Sequence, residues 1–534
     1  MGLTIAARLL AGILALMVPT EAAQAQKPGG ILKVYHIETP PSASLLEETT
    51  NSAAIPFMGI YNNLVMFDPA QERNTLASIV PDLAKSWAWS PDARRLTMQL
   101  NDGVTWHDGK SFSSADVKCT WDMLQGRSPA RQGMRKHPRE LWWHNLAEVT
   151  ADGPAAVTFH LQRPQPSFLM LLAAGYQPGY PCHVTPAVMR RQPVGTGPFE
   201  FVSMKPNESI TLKRNARYWK LGHPFLDGIE YTIMANRATR ILAFTSGNVD
   251  LTFPSGDVSV PLLQTIKAQV PAANCKLAPT NVAGNLIVNP GKPPFDDPRL
   301  RRAMQIAIDR PAFVQIISEG HAITGGALLP PPAGQWGLPP EQLLDLPGYG
   351  PDLAQRRSEA QAIMRSLGYG PDKPLRVKIE ARNLVNYRDP AIILIDQLKQ
   401  IYIEATLELV ETAVWSAKVQ RGDYTIGMNM TGSGIDDPDS NFYENYTCNS
   451  ARNITRYCNP EIDRLIDAQS AELDPVRRQR RVWEIDRRLQ LDGARPMIMH
   501  NVAATCMHPY VKGLVLPVNT VYNHWRMENV WLDR

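Results

Sequence analysis

Apolar and polar positions alternate in several short stretches of the chain. Leu96-Thr97-Met98-Gln99-Leu100, Val157-Thr158-Phe159-His160-Leu161 and Ile229-Glu230-Tyr231-Thr232-Ile233 all do so, as half-buried strands do. Residues 29–35, 210–213, 375–379 and 405–410 read as further strands, and 60–67 follows an expected helix. Turns fall at Asn101-Asp102-Gly103, Asp108-Gly109 and Asp227-Gly228, with a strand beginning at Val104-Thr105-Trp106. Helical signals interleave with these. Ser113 is a fitting N-cap with Asp116 at the third helical position. Asp297-Pro298 opens a helix on which Leu300, Ala303, Met304, Ala307 and Ile308 share a face. Arg299, Arg301 and Arg302 stand near its N-terminus, against the dipole preference. Further helices are expected near 238–246, 358–367, 390–401, 460–468 and 475–491. Residues 125–150, polar and basic, read as a surface excursion, and 328–356 as a Pro- and Gly-rich loop. Strands and helices thus mix throughout, which predicts two α/β lobes, one carrying an inserted subdomain.

Composition narrows the class. A chain of 534 residues with 44% hydrophobic positions is globular and suggests several domains. Its 55 Lys and Arg against 51 Asp and Glu leave +4, too little for a protein driven onto nucleic acid by phosphate neutralisation. The start, Arg8, the apolar run 9–18 and Ala23-Gln24-Ala25, reads as a secretory leader cleaved after Ala25. The first cysteine is Cys119, so no lipid anchor is expected and the mature chain should be exported and soluble. None of the six cysteines forms C-x-x-C. Cys448 and Cys458 bracket a short polar loop and are expected to pair.

Catalytic signatures are missing. The chain has no phosphate-binding loop, no H-E-x-x-H and no G-x-S-x-G; Gly432-Ser433-Gly434 lacks the spacing of a nucleophile elbow. His107 reads as a turn or core residue. The densest acidic cluster, Asp436-Asp437-Pro438-Asp439, is either a turn with a helix cap or a polar wall facing a cationic group. No enzyme activity, cofactor or metal is expected.

Several motifs in order resemble the family 5 extracellular solute-binding proteins of ABC importers, the peptide, dipeptide, oligopeptide and nickel group. Pro81-Asp82-Leu83-Ala84-Lys85-Ser86-Trp87 is similar to the family's P-x-L-A-x-S-W. The run from Leu100 through Trp106-His107-Asp108-Gly109 is similar to L-R-x-G-V-x-F-H-D-G, and Ala115-Asp116-Val117 follows it. Gly195-Thr196-Gly197-Pro198-Phe199 resembles G-T-G-P-Y, and Asn289 through Ala307-Ile308-Asp309-Arg310 matches the N…A-I-D-R stretch. The resemblance implies a two-lobe periplasmic binding protein fold, α/β, with a subdomain inserted in the first lobe. The expected boundaries are 26–66 and 186–275 for lobe I, 67–185 for the insert, 276–500 for lobe II, and 501–534 for a return to lobe I. It implies a periplasmic monomer that closes on a small-molecule or peptide ligand, delivers it to a membrane permease, and binds no nucleic acid. Gly103, Gly109, Gly195 and Gly197 would supply tight turns, and Trp87 and Trp106 would fill core.

The same resemblance suggests site residues. In the dipeptide branch an Asp in the stretch matching 430–442 holds the peptide ammonium; here that position is Ser433, and Asp436 is the acid that could substitute. Arg382 lies near the place of the Arg that holds the carboxylate, with Arg388 a second candidate. Met430 lies in the same stretch, and Phe253, Trp336, Tyr387 and Trp415 are aromatic candidates for the wall. A short peptide or related amino-bearing solute is the expected ligand. An opine, oligosaccharide or metal chelate, or a sensing role, are the alternatives.

Overall fold

Leu32 and Val34 are fully buried while Ile31 and Lys33 face solvent, and this alternation starts the first sheet at Ile31–His36. The computed structural model describes residues 26–48, 50–253, 256–520 and 525–534. The expected leader, 1–25, lies outside the described residues. In the first sheet Ile31–His36 pairs in parallel with Gly228–Ile233, followed by Ser209–Arg214 and Phe199–Lys205, both antiparallel. The second sheet runs Ile403–Val410, Leu375–Arg382, Ile426–Gly432, Asn274–Val288, Met497–Met507. Helix Val385–Lys399 packs on it, with Ala391, Leu394 and Leu398 buried at helical spacing. A third, antiparallel sheet orders Ala84–Trp89, Arg95–Leu100, Ala156–Leu161 and Leu146–Ala151. This mixed α/β, two-lobe architecture is the one that the sequence led us to expect.

Several local expectations need correction. The span 125–150 is no surface excursion: it buries His137, Arg139, Trp142 and Trp143 and contains strand Leu146–Ala151. Trp143 meets Trp121 and Phe168 edge-on at 5.7 Å each, so aromatic packing rather than periodicity organises it. Within 60–67 only Val65–Phe67 is strand, and Val104-Thr105-Trp106 forms just an isolated bridge from Thr105 to Ser111. Trp106 fills core, whereas Trp87 is only half-buried. The helix expected from Pro390 begins at Val385 and carries Pro390 inside it, where proline forfeits a single backbone bond. The arginines at the start of Pro298–Ala307 have partners: Arg299 pairs with the capping Asp297 at 2.7 Å, and Arg301 donates to the Phe295 carbonyl at 2.6 Å.

The four glycines divide by role. Gly103 and Gly109 have φ of 74° and 90°, as turns require. Gly195 and Gly197 instead allow close approach. A Cβ on Gly195 would stand 1.9 Å from the Ile60 carbonyl oxygen, and Gly197 N donates to that oxygen at 2.8 Å. Three disulfides staple the described residues: Cys119–Cys182, Cys275–Cys506 and the expected Cys448–Cys458. Cys275 and Cys506 are register partners on the two longest strands.

Asp82, from the P-x-L-A motif, knots distant segments together. Its buried carboxylate accepts from Asn63 N at 2.9 Å and Asn62 Nδ2 at 3.0 Å, and pairs with Arg526 at 2.7 Å and Lys220 at 2.9 Å. Burial alone would raise its pKa, but Arg526 and Lys220 outweigh it and hold the carboxyl below the usual range. A depressed carboxylate stabilises the fold above its unfolded pKa of about 3.9 and loses that contribution as pH falls through the lower folded value. Asp82→Asn should therefore cost about 3–5 kcal/mol at pH 7, measured by urea unfolding. A loss under ~1 kcal/mol would show that the knot is not needed.

Candidate functional site

Strand Ile426–Gly432 carries Asn429, Met430, Thr431 and Gly432 along one side of a cavity of about 350 Å³. That volume suits a small organic ligand. Helix Thr412–Arg421 adds Trp415, Ser416 and Val419, which helical spacing places on one face. Tyr387 enters from the first turn of Val385–Lys399, and Arg382 ends its strand at the same wall. Ile37, Asn51, Ser52 and Arg237 close the cavity from the side of the first sheet.

Arg382 is fixed on every side. It donates to the Tyr387 hydroxyl at 2.9 Å and to Thr412 Oγ1 at 2.8 Å, and its guanidinium lies 4.8 Å from the Tyr387 ring. Its charge is met by Glu38 at 2.8 Å. Glu38 follows the first-sheet strand Ile31–His36, so this ion pair joins the first and second sheets. The hydroxyls of Ser52 and Thr412 also donate to Glu38. Burial opposes the Arg382 charge, yet Tyr387 and Glu38 shift its pKa upward.

Of the residues singled out from sequence, Arg382, Tyr387, Trp415 and Met430 border this cavity. The others stand elsewhere. Ser433 Oγ accepts from Asn441 Nδ2 at 3.2 Å in the protein interior. Asp436 accepts from Gln335 N at 3.1 Å and Asn519 Nδ2 at 3.3 Å, also buried and away from the cavity wall. Arg388 is half-exposed and pairs with its neighbour Asp389 at 3.0 Å. Phe253 packs edge-on to His36 at 4.4 Å, and Trp336 lies under Arg478 at 4.7 Å. In the acidic cluster, Asp437 caps helix Pro438–Asn445 and binds Arg478 through two 2.8 Å contacts.

Sequence reasoning passed over three arginines on the cavity wall: Arg237, Arg452 and Arg495. Arg495 had a visible signal, a lone charge between Ala494 and the apolar run that begins at Pro496. With Arg382 they make four guanidinium groups, against Asp389 as the one carboxylate bordering the cavity among the described residues. No cluster of His, Cys, Asp and Glu suited to a metal occurs among the described residues.

Two outcomes follow from this geometry. Glu38→Gln removes the charge that ties Arg382 across the cleft. In ligand-free protein it should enlarge the radius of gyration measured by X-ray scattering; an unchanged profile would show that the pair does not hold the lobes together. Asp436 gives a second test. Burial pushes its carboxyl up to about 7, with Asn519 and Gln335 only partly opposing. An acid raised in the fold contributes fully below its unfolded pKa, near ~3.9, and that contribution is lost as pH rises through 7. Asp436→Asn should thus flatten the pH dependence of urea stability and raise it above the parent at pH 8. A variant less stable than the parent at pH 8 would contradict the assignment.

Comparison with known proteins agrees with this architecture. Residues 78–453 match the family described as bacterial extracellular solute-binding proteins, family 5 Middle. The glutathione-binding protein GsiB of Escherichia coli is 26% identical over 319 residues, covering 54% of this chain and 59% of that relative. The chain thus spans little more than half the length of that relative. The probable di/tripeptide-binding protein 5 of Pseudomonas aeruginosa is 25% identical over 78% of this chain and 79% of its own length. Among solved structures, the periplasmic binding protein DppA of Helicobacter pylori, in complex with the peptide STSA, superposes with a TM-score of 0.82 at 21% identity, covering 95% of this chain and 99% of that one. The match over residues 78–453, on a fold of two lobes around a shared cavity, shows that the chain belongs to the bacterial extracellular solute-binding proteins of family 5.

Proposed function

We propose that the protein is the capturing subunit of an ABC importer. It takes a short peptide or related amino-bearing solute between its lobes in the periplasm and presents the closed complex to a membrane permease. The observation that carries this reading is the cavity itself, which is bordered from the sides of both sheets and edged by Arg382, whose charge Glu38 meets. A ligand seated there contacts both lobes only when they are closed, so binding shifts the population toward the closed form. That shift is the signal a permease can read. Relatives named for glutathione and for di- and tripeptides support the peptide class. No helix among the described residues is long and apolar enough to cross a membrane. On this reading the protein acts by binding.

On this reading Arg382, Tyr387, Trp415 and Met430 contact the ligand. Ser433, Asp436, Arg388, Phe253 and Trp336 act through packing and the hydrogen bonds described above. A melting-shift screen of peptides, opines, sugars and metal ions tests it. A bound peptide at ~100 times its Kd should stabilise the protein by ~2.7 kcal/mol, and Trp415→Ala should weaken that binding by about 2 kcal/mol. A clear shift from sugars with none from any peptide would remove the peptide assignment.

A further inference from the structure

Arg495 sits just before strand Met497–Met507 and borders the cavity with only 3% of its surface exposed. It has no carboxylate within ion-pair distance among the described residues, whereas each other arginine of the wall has one. Arg237 has Asp257 at 3.5 Å, Arg382 has Glu38 at 2.8 Å, and Arg452 has Glu444 at 2.9 Å. Neutral acceptors hold the Arg495 guanidinium in place: Thr431 Oγ1 and Asn445 Oδ1, both at 2.9 Å, and the carbonyls of Arg452 and Asn445 at 3.4 and 3.5 Å. Asn285 Nδ2 in turn donates to that Thr431 oxygen at 3.0 Å. The Nε–H of Arg495 has no acceptor. Burial without an ion partner depresses its pKa, although Tyr446, Tyr424 and Glu444 oppose this.

The surroundings sharpen the imbalance. Glu444 is shared between Arg452 and Arg139, the latter at 3.3 Å. Arg495 feels Arg452 and Glu444 together. The Glu444 carboxylate is thus engaged by Arg139 and Arg452, and it makes no ion pair with Arg495. An uncompensated buried charge costs several kcal/mol unless a counter-ion meets it. A guanidinium held by neutral acceptors on a cavity wall, with no carboxylate of its own, is also a pre-organised partner for an anion.

We propose that Arg495 is the seat of a ligand carboxylate, and that the protein therefore selects acidic peptides or peptide-like acids. Arg382, whose charge Glu38 already meets, serves closure instead. This rests on the reading of the protein as a peptide-binding subunit, and it names the class within it. The acid carries its own counter-charge into the cavity, beside a guanidinium that has no carboxylate partner among the described residues.

Isothermal titration with three wild-type probe pairs tests this without any variant. Ala-Glu, Glu-Glu and glutathione are each compared with the corresponding fully amidated molecule. The acids should bind roughly tenfold to a hundredfold more tightly than the amides, and the difference should shrink as salt rises. Arg495→Met should erase the preference for acid over amide, and Arg495→Lys should retain part of it. Arg382→Met should weaken acid and amide alike. Circular dichroism melting establishes that each variant is folded. Neutral and amidated peptides binding as well as the acids would overturn the Arg495 assignment and leave the peptide reading standing. So would an acid preference that survives in folded Arg495→Met. Binding by no peptide of any charge would overturn the peptide reading itself, and this assignment with it.

Discussion

Two long antiparallel strands, Asn274–Val288 and Met497–Met507, carry the chain through the middle of the molecule, and the rest is arranged about them. Every backbone donor and acceptor in such buried strands needs a partner. Asn274–Val288 meets this need by lying between Ile426–Gly432 and Met497–Met507. At the far end Met507 bridges to Leu251, and Leu251 bridges to Val34 in the first sheet. A continuous line of backbone contacts thus passes from one lobe to the other. The pairing of the two strands is interrupted twice, where the register shifts between Pro279 and Ala283, with Asn281 at a φ of 51°, and again between Gly284 and Asn285. Proline cannot donate and a bulge absorbs the extra residues, so the crossing strand is weakest beside the cavity wall at Thr280 and Val282. A lobe movement requires the least disruption there.

The cavity shows how charge is distributed where two sheets meet. Glu38 follows a first-sheet strand and Arg382 ends a second-sheet strand, so their pair spans the two sheets. Separating them returns both to water, which is why such a pair contributes little net stability while favouring one geometry over others. The buried Asp437–Arg478 pair differs, since it links the cap of helix Pro438–Asn445 to helix Pro475–Leu491, away from the cavity wall.

Legibility in the sequence tracked locality. The capping box at Ser113 and Asp116, the helix start at Asp297, and helix Pro475–Leu491 depend on neighbours in the chain, and all stand where the residues indicated. The two crossing strands escaped notice because Pro279 and Gly284 break their alternation, and both faces are partly covered, which removes the period-two signal. The motif glycines Gly195 and Gly197 were legible as special, but for the wrong reason, because the close approach to Ile60 is a tertiary fact. The cavity was half legible. Arg382, Tyr387, Trp415 and Met430 lie in two short stretches that family resemblance could reach. Arg237, Arg452 and Arg495 come from three separated segments and converge only in the fold.

The short ring closed by Cys448 and Cys458 spans ten positions and includes Ala451, Arg452 and Ile454, all of which border the cavity. A covalent tie around so small a loop adds modestly to global stability, but it fixes where the Arg452 side chain and carbonyl stand. Formation of this one bridge therefore places a stretch of the cavity wall together with the loop that carries it.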